Sequence, residues 1–533
     1  MPLREVFDLG QMVPKGLPVL IRGVNWVGDA VMTMPAMRAI RKAMPEADIT
    51  LLVKPWVSGL FEKDPNVDQI MIYGPGHSGI NGKLRLALAL RQKDFKKAIL
   101  LQNAFDAALI CRLAGIPERI GYGRDARGWL LTGPVPCLAE DRLAHHSRYY
   151  LNLLEKAGII GKGLAPENAW IYLGLEERLR ARKGLAALGL KRPVVGLNPG
   201  AAFGPSKRWP AAGFRRLAEA IIGELGGGAV IFGSAKEAPA AEEIAEGLPG
   251  AVSMAGRTTL RELAAYISEC DALVTNDSGP MHVGYAVGAP LVALFGSTSP
   301  ALTGPPAGSA VIKKELPCSP CFKRQCARLG DPPGTASVPE CMGEIAAPEV
   351  LLALKSVLPR RRAVFFDRDG TLCRDAGYLA RIEDFAPFRQ ELSALSRLRR
   401  AGFKLIGVTN QSGINRGIVD EKFVREVNGY FIREHGFDAF YYCPHRPDER
   451  CSCRKPSPGM LFDARRDMGI DLRNSYMIGD KSSDVLAARA AGARAILVRG
   501  PGPSDGADFT ASTLTAAVNH IIESEETLWK RKA

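Results

Sequence analysis

Short apolar runs alternate with longer segments of helical periodicity along most of the chain. This alternation is typical of βα units built on parallel sheets. The apolar runs fall into three groups, which predict three Rossmann-like sheets. The predicted strands are 18–23, 49–54, 69–74 and 97–102 in the first group, 193–200, 228–234, 271–277 and 289–297 in the second, and 361–371, 403–413, 475–484 and 494–500 in the third.

The stretches between these groups predict the domain boundaries. A helix is expected over 29–43 after the first strand, and a basic helical stretch over 145–159 separates the first two groups. The stretch 348–362 ends in a basic linker, and from Pro501 the strand pattern decays into a turn and a terminal helix. The predicted domains are 1–175, 176–355 and 361–505, followed by a C-terminal tail over 506–533.

The amino-acid composition limits the classes of binding partner, but it does not indicate an activity. The 533 residues carry a formal net charge of +14, which favours nucleic acid, phosphorylated metabolites or an anionic membrane surface, although a merely solvated basic surface is the plain alternative. No run of about 20 apolar residues appears, and the first residues lack an apolar signal core. We therefore expect a cytoplasmic protein, in which the eleven cysteines are thiols or metal ligands.

The third group contains two carboxylates directly after a predicted buried strand, in FFDRDGT. Ligands of doubly wound sheets bind at that end of the strands. Asp367 and Asp369 can hold one Mg²⁺, one of them through its backbone carbonyl. Asp367 can then attack phosphorus to give an aspartyl-phosphate, while Asp369 protonates the leaving alkoxide and later activates water. Taken alone, DxDGT could also be a solvated turn after a strand, which is the less favoured interpretation.

Three further motifs follow in chain order and support the same chemistry. Thr409, in VTNQSG, follows a second strand and can bind phosphate oxygens. Lys455 offers a fixed cation for the transferring phosphoryl group. The GDKSSD motif supplies Asp480, and Asp484 as a further candidate, to complete the metal site.

A loop just before Lys455 has the composition of a metal site. Cys443, His445, Cys451 and Cys453 form a C-x-H-x5-C-x-C set, and these four ligands suit a closed, structural Zn²⁺ site. Such a site would aim Arg454 and Lys455 at the substrate, whereas the alternative is unconnected cysteines in a loop. A second group could bind metal or could consist of plain thiols, the more favoured interpretation: Cys318, Cys321, Cys326 and Cys341.

The order DRDGT, TNQSG, RKP, GDKSSD over 361–500 resembles the haloacid dehalogenase-like superfamily of phosphatases. The zinc loop and CRKP narrow this resemblance to two families. The runs 375–378 and TNQSGINRG resemble the D-glycero-D-manno-heptose 1,7-bisphosphate 7-phosphatases, whereas the short zinc spacer is closer to the histidinol-phosphatases. The resemblance implies a substrate pocket lined by Asp375, Ala376, Gly377, Tyr378, Thr409, Asn410, Gln411, Ser412, Arg454 and Lys481.

The N-terminal half contains three weaker motifs. NWVGDA joins the first strand to its helix, so Asp29 could take a proton from an acceptor hydroxyl or could simply be an N-cap. GPSKRWP offers the cations Lys207 and Arg208. NDSGPMH follows a strand and opens a helix, a natural diphosphate site; His282 could bind the diphosphate or be a packed histidine at the helix start.

As a set over 17–355, these motifs resemble the ADP-heptose:lipopolysaccharide heptosyltransferases, glycosyltransferase family 9. The resemblance implies a GT-B fold, inverting transfer with Asp29 as the base, and Lys207 stabilising the departing ADP. It implies binding of ADP-heptose by Arg208, Asp277, Ser278, Gly279, Met281 and His282. It also implies a lipopolysaccharide inner-core acceptor at the cytoplasmic face of the inner membrane, with these residues as contact candidates: Arg119, Arg124, Arg127, His145, His146 and Arg148.

Together these interpretations predict an α/β enzyme with two activities on heptoses, requiring Mg²⁺ and Zn²⁺. One alternative is a histidinol-phosphatase fused to a transferase. Another is a nucleic-acid end phosphatase, but the chain has no GxxxxGK[ST] loop and its basic residues are scattered, so we expect no nucleic-acid partner. A non-catalytic membrane scaffold is a third, disfavoured because every position of the phosphatase set is filled.

Overall fold

The computed structural model describes residues 16–163, 168–328, 338–449, 451–499 and 506–532. The chain divides into two compact units, with the boundary after Ala169. The first unit contains one six-stranded sheet and the second contains two. Within those described ranges, none of the helices is both long and apolar enough to cross a membrane.

The sheet of the first unit is parallel throughout, with strand order β3-β2-β1-β4-β5-β6. Its four predicted strands are confirmed as β1 to β4, and the two strands on one side of β4 were not predicted because their sequences lack an apolar run. The strands are β1 (Pro18–Arg22), β2 (Asp48–Val53), β3 (Gln69–Ile72), β4 (Lys97–Leu100), β5 (Glu118–Tyr122) and β6 (Gly133–Val135). The helices are α1 (Val27–Met32), α2 (Met34–Ala43), α3 (Pro55–Ser58), α4 (Gly79–Arg91), α5 (Phe105–Leu113), α6 (Ala139–Leu143) and α7 (His146–Lys156).

The second unit begins with a sheet of the same topology, in the order β12-β11-β10-β7-β8-β9. The four predicted strands are again the inner ones, and the edges β9 and β12 were missed. The strands are β7 (Val194–Asn198), β8 (Gly228–Ile231), β9 (Ala251–Ser253), β10 (Ala272–Asn276), β11 (Leu291–Phe295) and β12 (Ala310–Lys313). The helices are α8 (Leu175–Ala187), α9 (Ala211–Gly223), α10 (Ala238–Ala245), α11 (Leu260–Glu269), α12 (Gly279–Ala286), α13 (Pro300–Thr303), α14 (Glu340–Gly343) and α15 (Ala347–Val357).

The last sheet repeats this order once more, as β15-β14-β13-β16-β17-β18. Here too the inner strands match the predicted ones. The strands are β13 (Ala363–Phe366), β14 (Lys404–Asn410), β15 (Ala439–Cys443), β16 (Tyr476–Gly479), β17 (Arg494–Val498) and β18 (Phe509–Ala511). The helices are α16 (Arg389–Leu392), α17 (Leu395–Arg400), α18 (Glu421–His435), α19 (Gly459–Met468), α20 (Ser482–Ala491) and α21 (Leu514–Lys532).

Three expectations about the chain's organisation need correction. The helix expected over 29–43 is two helices, since α1 ends before Thr33, whose hydroxyl donates to the Ala30 carbonyl, and α2 begins at Met34. The segment 506–533 is not a separate tail, because β18 pairs with β17 and α21 packs into the core of the third sheet through Leu514 and Val518. The linker predicted at the end of 348–362 is shorter than that stretch, because the helix α15 extends to Val357 and packs in the core of the second sheet.

The two sheets of the second unit are joined through two arginines of the last domain, of which Arg465 is buried and Arg473 is partly buried. Arg465 donates to the Cys270 carbonyl at 3.0 Å, and Arg473 Nη1 lies 2.6 Å from Asp271 Oδ1. The ring of Trp170 packs on that of Phe462 with 5.7 Å between centroids. The two arginine contacts are charge-assisted and the ring contact is apolar, and together they hold the two domains as one unit.

Candidate active sites

A cluster of carboxylates lies at the carboxyl ends of two adjacent strands, β13 and β16. Asp367 follows β13 and Asp480 follows β16, while Asp484 lies in the first turn of α20. Ligand oxygens of these three side chains all lie within 4.8 Å of one another. Lys455 stands between them, with its Nζ 2.7 Å from Asp367 Oδ1 and 2.7 Å from Asp484 Oδ1.

This cluster is buried and has a net negative charge, because three carboxylates surround one ammonium group. Burial raises the pKa of Asp367, against the opposing effect of Lys455. Burial alone would lower the pKa of Lys455, but Asp367 and Asp484 outweigh it and raise that pKa. Asp480 Oδ1 is buried and accepts no hydrogen bond from the described residues. Three oxygen ligands with surplus negative charge fit a divalent cation such as Mg²⁺.

The side chain of Asp369 lies outside this cluster, so of the two predicted ligands Asp367 is the one whose side chain faces the site. Arg368 donates to both carboxylate oxygens of Asp369 at 3.0 Å, and Gln411 Nε2 donates at 2.7 Å. The ligand role is therefore left to its backbone carbonyl, and Asp484 takes its place among the clustered side chains. Gly370 follows with φ of +92°, and a Cβ there would lie 2.2 Å from Asp480 Oδ2, so only glycine fits.

The motif after β14 positions Lys455. The Asn410 amide donates to the Lys455 carbonyl at 3.1 Å, and its oxygen accepts from the Lys455 backbone N–H at 3.0 Å. Asn410 therefore holds the lysine loop, a role that sequence reasoning did not assign to it. Thr409 is buried beside the cluster and accepts from Gln411 at 2.8 Å. Ser412 is also nearly buried.

Further predicted pocket residues meet at an exposed rim. Lys481 Nζ lies 2.9 Å from Asp375 Oδ2, and Asp375 Oδ1 accepts from the Gly377 backbone N–H at 2.8 Å. Ala376 is exposed in the same turn, and Tyr378 is 43% exposed. The structure thus brings the 375–378 turn and Lys481 together, 106 residues apart in sequence.

The zinc-type loop converges as predicted. The Sγ atom of Cys451 lies 3.4 Å from those of Cys443 and Cys453, and His445 Nδ1 lies 3.2 Å from Cys453 Sγ. A disulfide needs about 2.05 Å, whereas four ligands at about 2.3 Å around Zn²⁺ stand about 3.8 Å apart. The neighbouring thiols lower the pKa of Cys451 and raise the pKa of Cys443 and Cys453.

This loop also orients the residue before Lys455. The backbone N–H of Arg454 donates to Cys451 Sγ at 3.3 Å, and its guanidinium donates to the His445 carbonyl at 3.3 Å.

The second cysteine group is less compact. In the part of the chain that the structure describes, no three of Cys318, Cys321, Cys326 and Cys341 bring their thiols within metal-sharing distance. Burial and the three neighbouring thiols raise the pKa of Cys341 to about 11.

In the second sheet, polar residues meet at the carboxyl ends of β7, β10 and β11. Lys207 Nζ lies 2.6 Å from Asp277 Oδ2, which also accepts from the Thr298 hydroxyl at 2.5 Å. Asp277 is therefore a partner of the cation Lys207, whereas Arg208 donates to the Ala201 carbonyl at 3.3 Å.

The start of α12 lies beside this pair. Ser278 is its N-cap residue, Gly279 its first residue, and the Ser278 hydroxyl lies 3.2 Å from that of Thr275. The Met281 side chain is completely buried and packs beneath the helix. His282 is also buried and its Nδ1 lies 3.1 Å from the Tyr285 hydroxyl, which supports a packed role at the helix start.

In the first unit, Asp29 is the third residue of α1 and not its N-cap, which is Trp26. Its Oδ1 lies 3.3 Å from His146 Nδ1 at the start of α7. Two of the predicted acceptor contacts are wrong, because Arg119 and Arg127 are buried and bond to backbone carbonyls. Arg124 remains at the surface.

Comparisons with known proteins agree with this division of the chain. The family model described as glycosyltransferase family 9 (heptosyltransferase) matches residues 83–330, and a HAD-hydrolase-like model matches 452–524. The lipopolysaccharide heptosyltransferase 2 of Salmonella typhimurium is 35% identical over 302 residues, 54% of this chain and 85% of that protein. The solved structure of E. coli ADP-heptose lipopolysaccharide heptosyltransferase II covers 64% of this chain and 98% of its own, with 29% identity and a TM-score of 0.55.

The last domain has relatives of its own. The D-glycero-β-D-manno-heptose-1,7-bisphosphate 7-phosphatase of Photorhabdus laumondii is 45% identical over 141 residues, 24% of this chain and 75% of that protein. The fold and sites thus define a fusion of a GT-B-like glycosyltransferase with a haloacid dehalogenase-like phosphatase domain. More particularly, the chain belongs to glycosyltransferase family 9, the heptosyltransferases, and its C-terminal domain belongs to the heptose-1,7-bisphosphate 7-phosphatases.

Proposed function

We propose that this chain is a bifunctional enzyme of lipopolysaccharide core heptose metabolism. Its first two sheets transfer heptose from ADP-heptose to the inner core with inversion, and its last domain removes the 7-phosphate of D-glycero-D-manno-heptose 1,7-bisphosphate. The phosphatase activity is proposed from one observation, which is that four charged side chains meet at the carboxyl ends of neighbouring strands: Asp367, Lys455, Asp480 and Asp484. The 35% and 45% identities to enzymes with these two names support the pairing.

The phosphatase residues support a two-step hydrolysis. An Asp367 oxygen attacks phosphorus, and the bond from phosphorus to the sugar oxygen breaks while Asp369 gives that oxygen a proton. Asp369 then takes a proton from the water that releases phosphate. Lys455, 2.7 Å from Asp367, neutralises charge on the phosphoryl oxygens throughout. Hydrogen bonds from Arg368 and Gln411 orient the Asp369 carboxylate for this role.

Two metals belong to this half of the proposal. Mg²⁺ would be held by Asp367, Asp480 and Asp484 with the Asp369 carbonyl, and when bound it supplies charge neutralisation at the phosphoryl oxygens. Zn²⁺ would be held by Cys443, His445, Cys451 and Cys453 and would stiffen the loop that presents Arg454 and Lys455.

The transferase residues support an inverting displacement. Asp29 would take the proton of the acceptor hydroxyl as that oxygen bonds to the heptose carbon and the bond to ADP breaks. Lys207 and the amide groups at the start of α12 would receive the charge of the departing diphosphate. The 2.6 Å pair with Asp277 holds Lys207 ready for this role, and the diphosphate would compete with Asp277 for the same ammonium group.

We further propose that α4 rests on the anionic bilayer that carries the acceptor. Ile80, Leu84 and Leu88 recur every fourth residue and are 79%, 43% and 58% exposed. The same helix carries Lys83, Arg85 and Arg91. An exposed apolar stripe flanked by cations is typical of helices that lie in a lipid interface.

The first experiment is phosphate release by the purified chain with Mg²⁺, comparing heptose 1,7-bisphosphate with histidinol phosphate. We expect a strong preference for the bisphosphate and its loss in Asp367→Asn, which keeps the shape of the side chain but cannot attack phosphorus. Transfer from ADP-heptose to heptose-deficient core lipid is measured on the same samples. Preference for histidinol phosphate would overturn the phosphatase assignment and leave the transferase assignment to be judged by its own assay.

A further inference from the structure

In the first unit, the fold brings His146 into contact with Asp29. His146 Nδ1 lies 3.3 Å from Asp29 Oδ1, although the two residues are 117 positions apart. The side chains are 38% and 30% exposed, so the pair is at the surface of the unit yet partly shielded from water. Among the described residues, the hydrogen bonds assign Asp29 no other side-chain partner.

Helix register explains why the two groups meet. His146 is the first residue of α7, and Tyr150 lies one turn later on the same face. That face of α7 packs on α1, which carries Asp29 in its first turn. Burial raises the pKa of the Tyr150 phenol, and the negative charge of the nearby Asp29 carboxylate raises it further. Asp29 therefore lies close to Tyr150 as well as to His146. The contact therefore follows from the packing of two helices.

The chemistry of the pair is asymmetric. A carboxylate at neutral pH only accepts hydrogen bonds, so His146 must carry its proton on Nδ1 to bond with it. That bond engages one oxygen of Asp29 and leaves the other to accept a proton. The arrangement resembles a general base whose orientation is set by a hydrogen-bonded neighbour, here with the carboxylate as the base.

We infer that His146 is a positioning residue of the transferase, which holds the Asp29 carboxylate by a hydrogen bond from Nδ1 so that its second oxygen faces the acceptor hydroxyl. This inference rests on the proposed function of Asp29 as the base. A misplaced catalytic group can lower the rate about 100-fold. His146 would act on the chemical step, because the group that it holds is the proposed base.

Three substitutions of one residue test the role. In His146→Asn, the amide nitrogen stands the same number of bonds from the backbone as Nδ1, whereas in His146→Gln it stands one bond further, and His146→Ala has no donor. We expect kcat for heptose transfer to fall at least tenfold in the Ala and Gln variants, with KM for ADP-heptose within twofold of the parent. The Asn variant should recover most of the loss. Far-ultraviolet circular dichroism and thermal melting of the same full-length chain check that the first unit, which carries His146, is folded in each variant.

Two outcomes overturn the inference: transfer by His146→Ala within twofold of the parent, or equal losses in all three variants. Asp29→Asn separates this failure from that of the proposed function. If Asp29→Asn abolishes transfer while the histidine variants behave alike, only the positioning role is wrong. If Asp29→Asn transfers heptose at the parental rate, the base assignment itself is wrong.

Discussion

Lys455 Nζ lies 2.7 Å from Asp367 Oδ1, with both side chains almost completely buried. The same ammonium group donates to the Val408 carbonyl at 2.8 Å and pairs with Asp484. The nucleophile proposed for the phosphatase is thus held against a fixed cation by a residue 88 positions later in the chain. A preorganised charge of this kind needs no rearrangement when a phosphoryl group arrives.

Lys455→Met is expected to lower the phosphatase kcat by about 100-fold or more, because the fixed cation beside the phosphoryl group is lost. It also leaves Asp367 and Asp484 close together without their common partner, so thermal stability should fall as well. The measurement is phosphate release from heptose 1,7-bisphosphate, with melting followed in parallel. Lys422→Met, at an exposed lysine of α18, is the matched control and should behave as the parent. Activity within a few-fold of the parent in Lys455→Met would contradict the assigned role.

The zinc loop predicts one tightly bound zinc ion per chain. Cys453→Ser should lower the zinc content measured by atomic emission and reduce both the melting temperature and phosphate release, because the loop presents Arg454 and Lys455. Heptose transfer should be unaffected. Cys318→Ser is the control, since its group is not gathered at ligand distance among the described residues, and it should retain the zinc. Two zinc ions per chain, one lost in Cys318→Ser, would show that the second cysteine group also binds metal.

Glu269 predicts a pH-dependent contribution to stability. Burial alone would raise its pKa, but Arg182, at 2.8 Å, and then Arg473 hold the pKa of this carboxyl below its usual value. A lowered folded-state pKa stabilises the protein above the unfolded-state pKa, and this stabilisation is lost as pH falls through the folded-state pKa. Glu269→Gln should therefore cost about 3 kcal/mol near pH 7, with the difference from the parent shrinking below about pH 4.5.

Melting temperatures of parent and variant across pH 3 to 8 measure this difference. Glu176→Gln, at an exposed glutamate 3.6 Å from Arg180, is the matched control and should change stability by less than about 1 kcal/mol. A Glu269→Gln deficit that stays constant down to pH 3 would mean that the carboxylate charge is not the source of the stability.

The exposed stripe of α4 predicts binding to anionic vesicles. Replacing Ile80, Leu84 and Leu88 together by Gln keeps helix propensity and removes the apolar surface. Since burying one aliphatic side chain contributes about 1.5–3 kcal/mol, we expect at least tenfold weaker binding to phosphatidylglycerol vesicles in sedimentation assays. Replacing Leu352 and Ile432, which are exposed in the second unit, by Gln should have no effect. Equal binding of vesicles by the parent and the triple variant would show that this face of α4 is not a membrane-binding surface.

The sequence predicted all inner strands of the last two sheets, the strands β1 to β4 of the first sheet, and the elements that carry the candidate chemistry. It missed the inner strand β5 and the edge strands β6, β9, β12, β15 and β18. The reason is physical: inner strands are buried on both faces and show continuous apolar runs, whereas edge strands such as Gly133–Val135 are short and partly exposed. The same reason explains why β18 was not predicted as a strand of the third sheet, whereas the terminal helix was predicted.

The sequence by itself determined the ligand types, the order of the phosphatase motifs and the zinc loop, because each of these sets is local and chemically distinctive. Only the tertiary structure decided which groups meet. In the structure, the carboxylate cluster contains the side chain of Asp484 and not that of Asp369. Arg127 is buried, and His146 lies next to Asp29. Such contacts depend on the register of helices and on which strand ends are neighbours, and neither property is written in a local stretch of sequence.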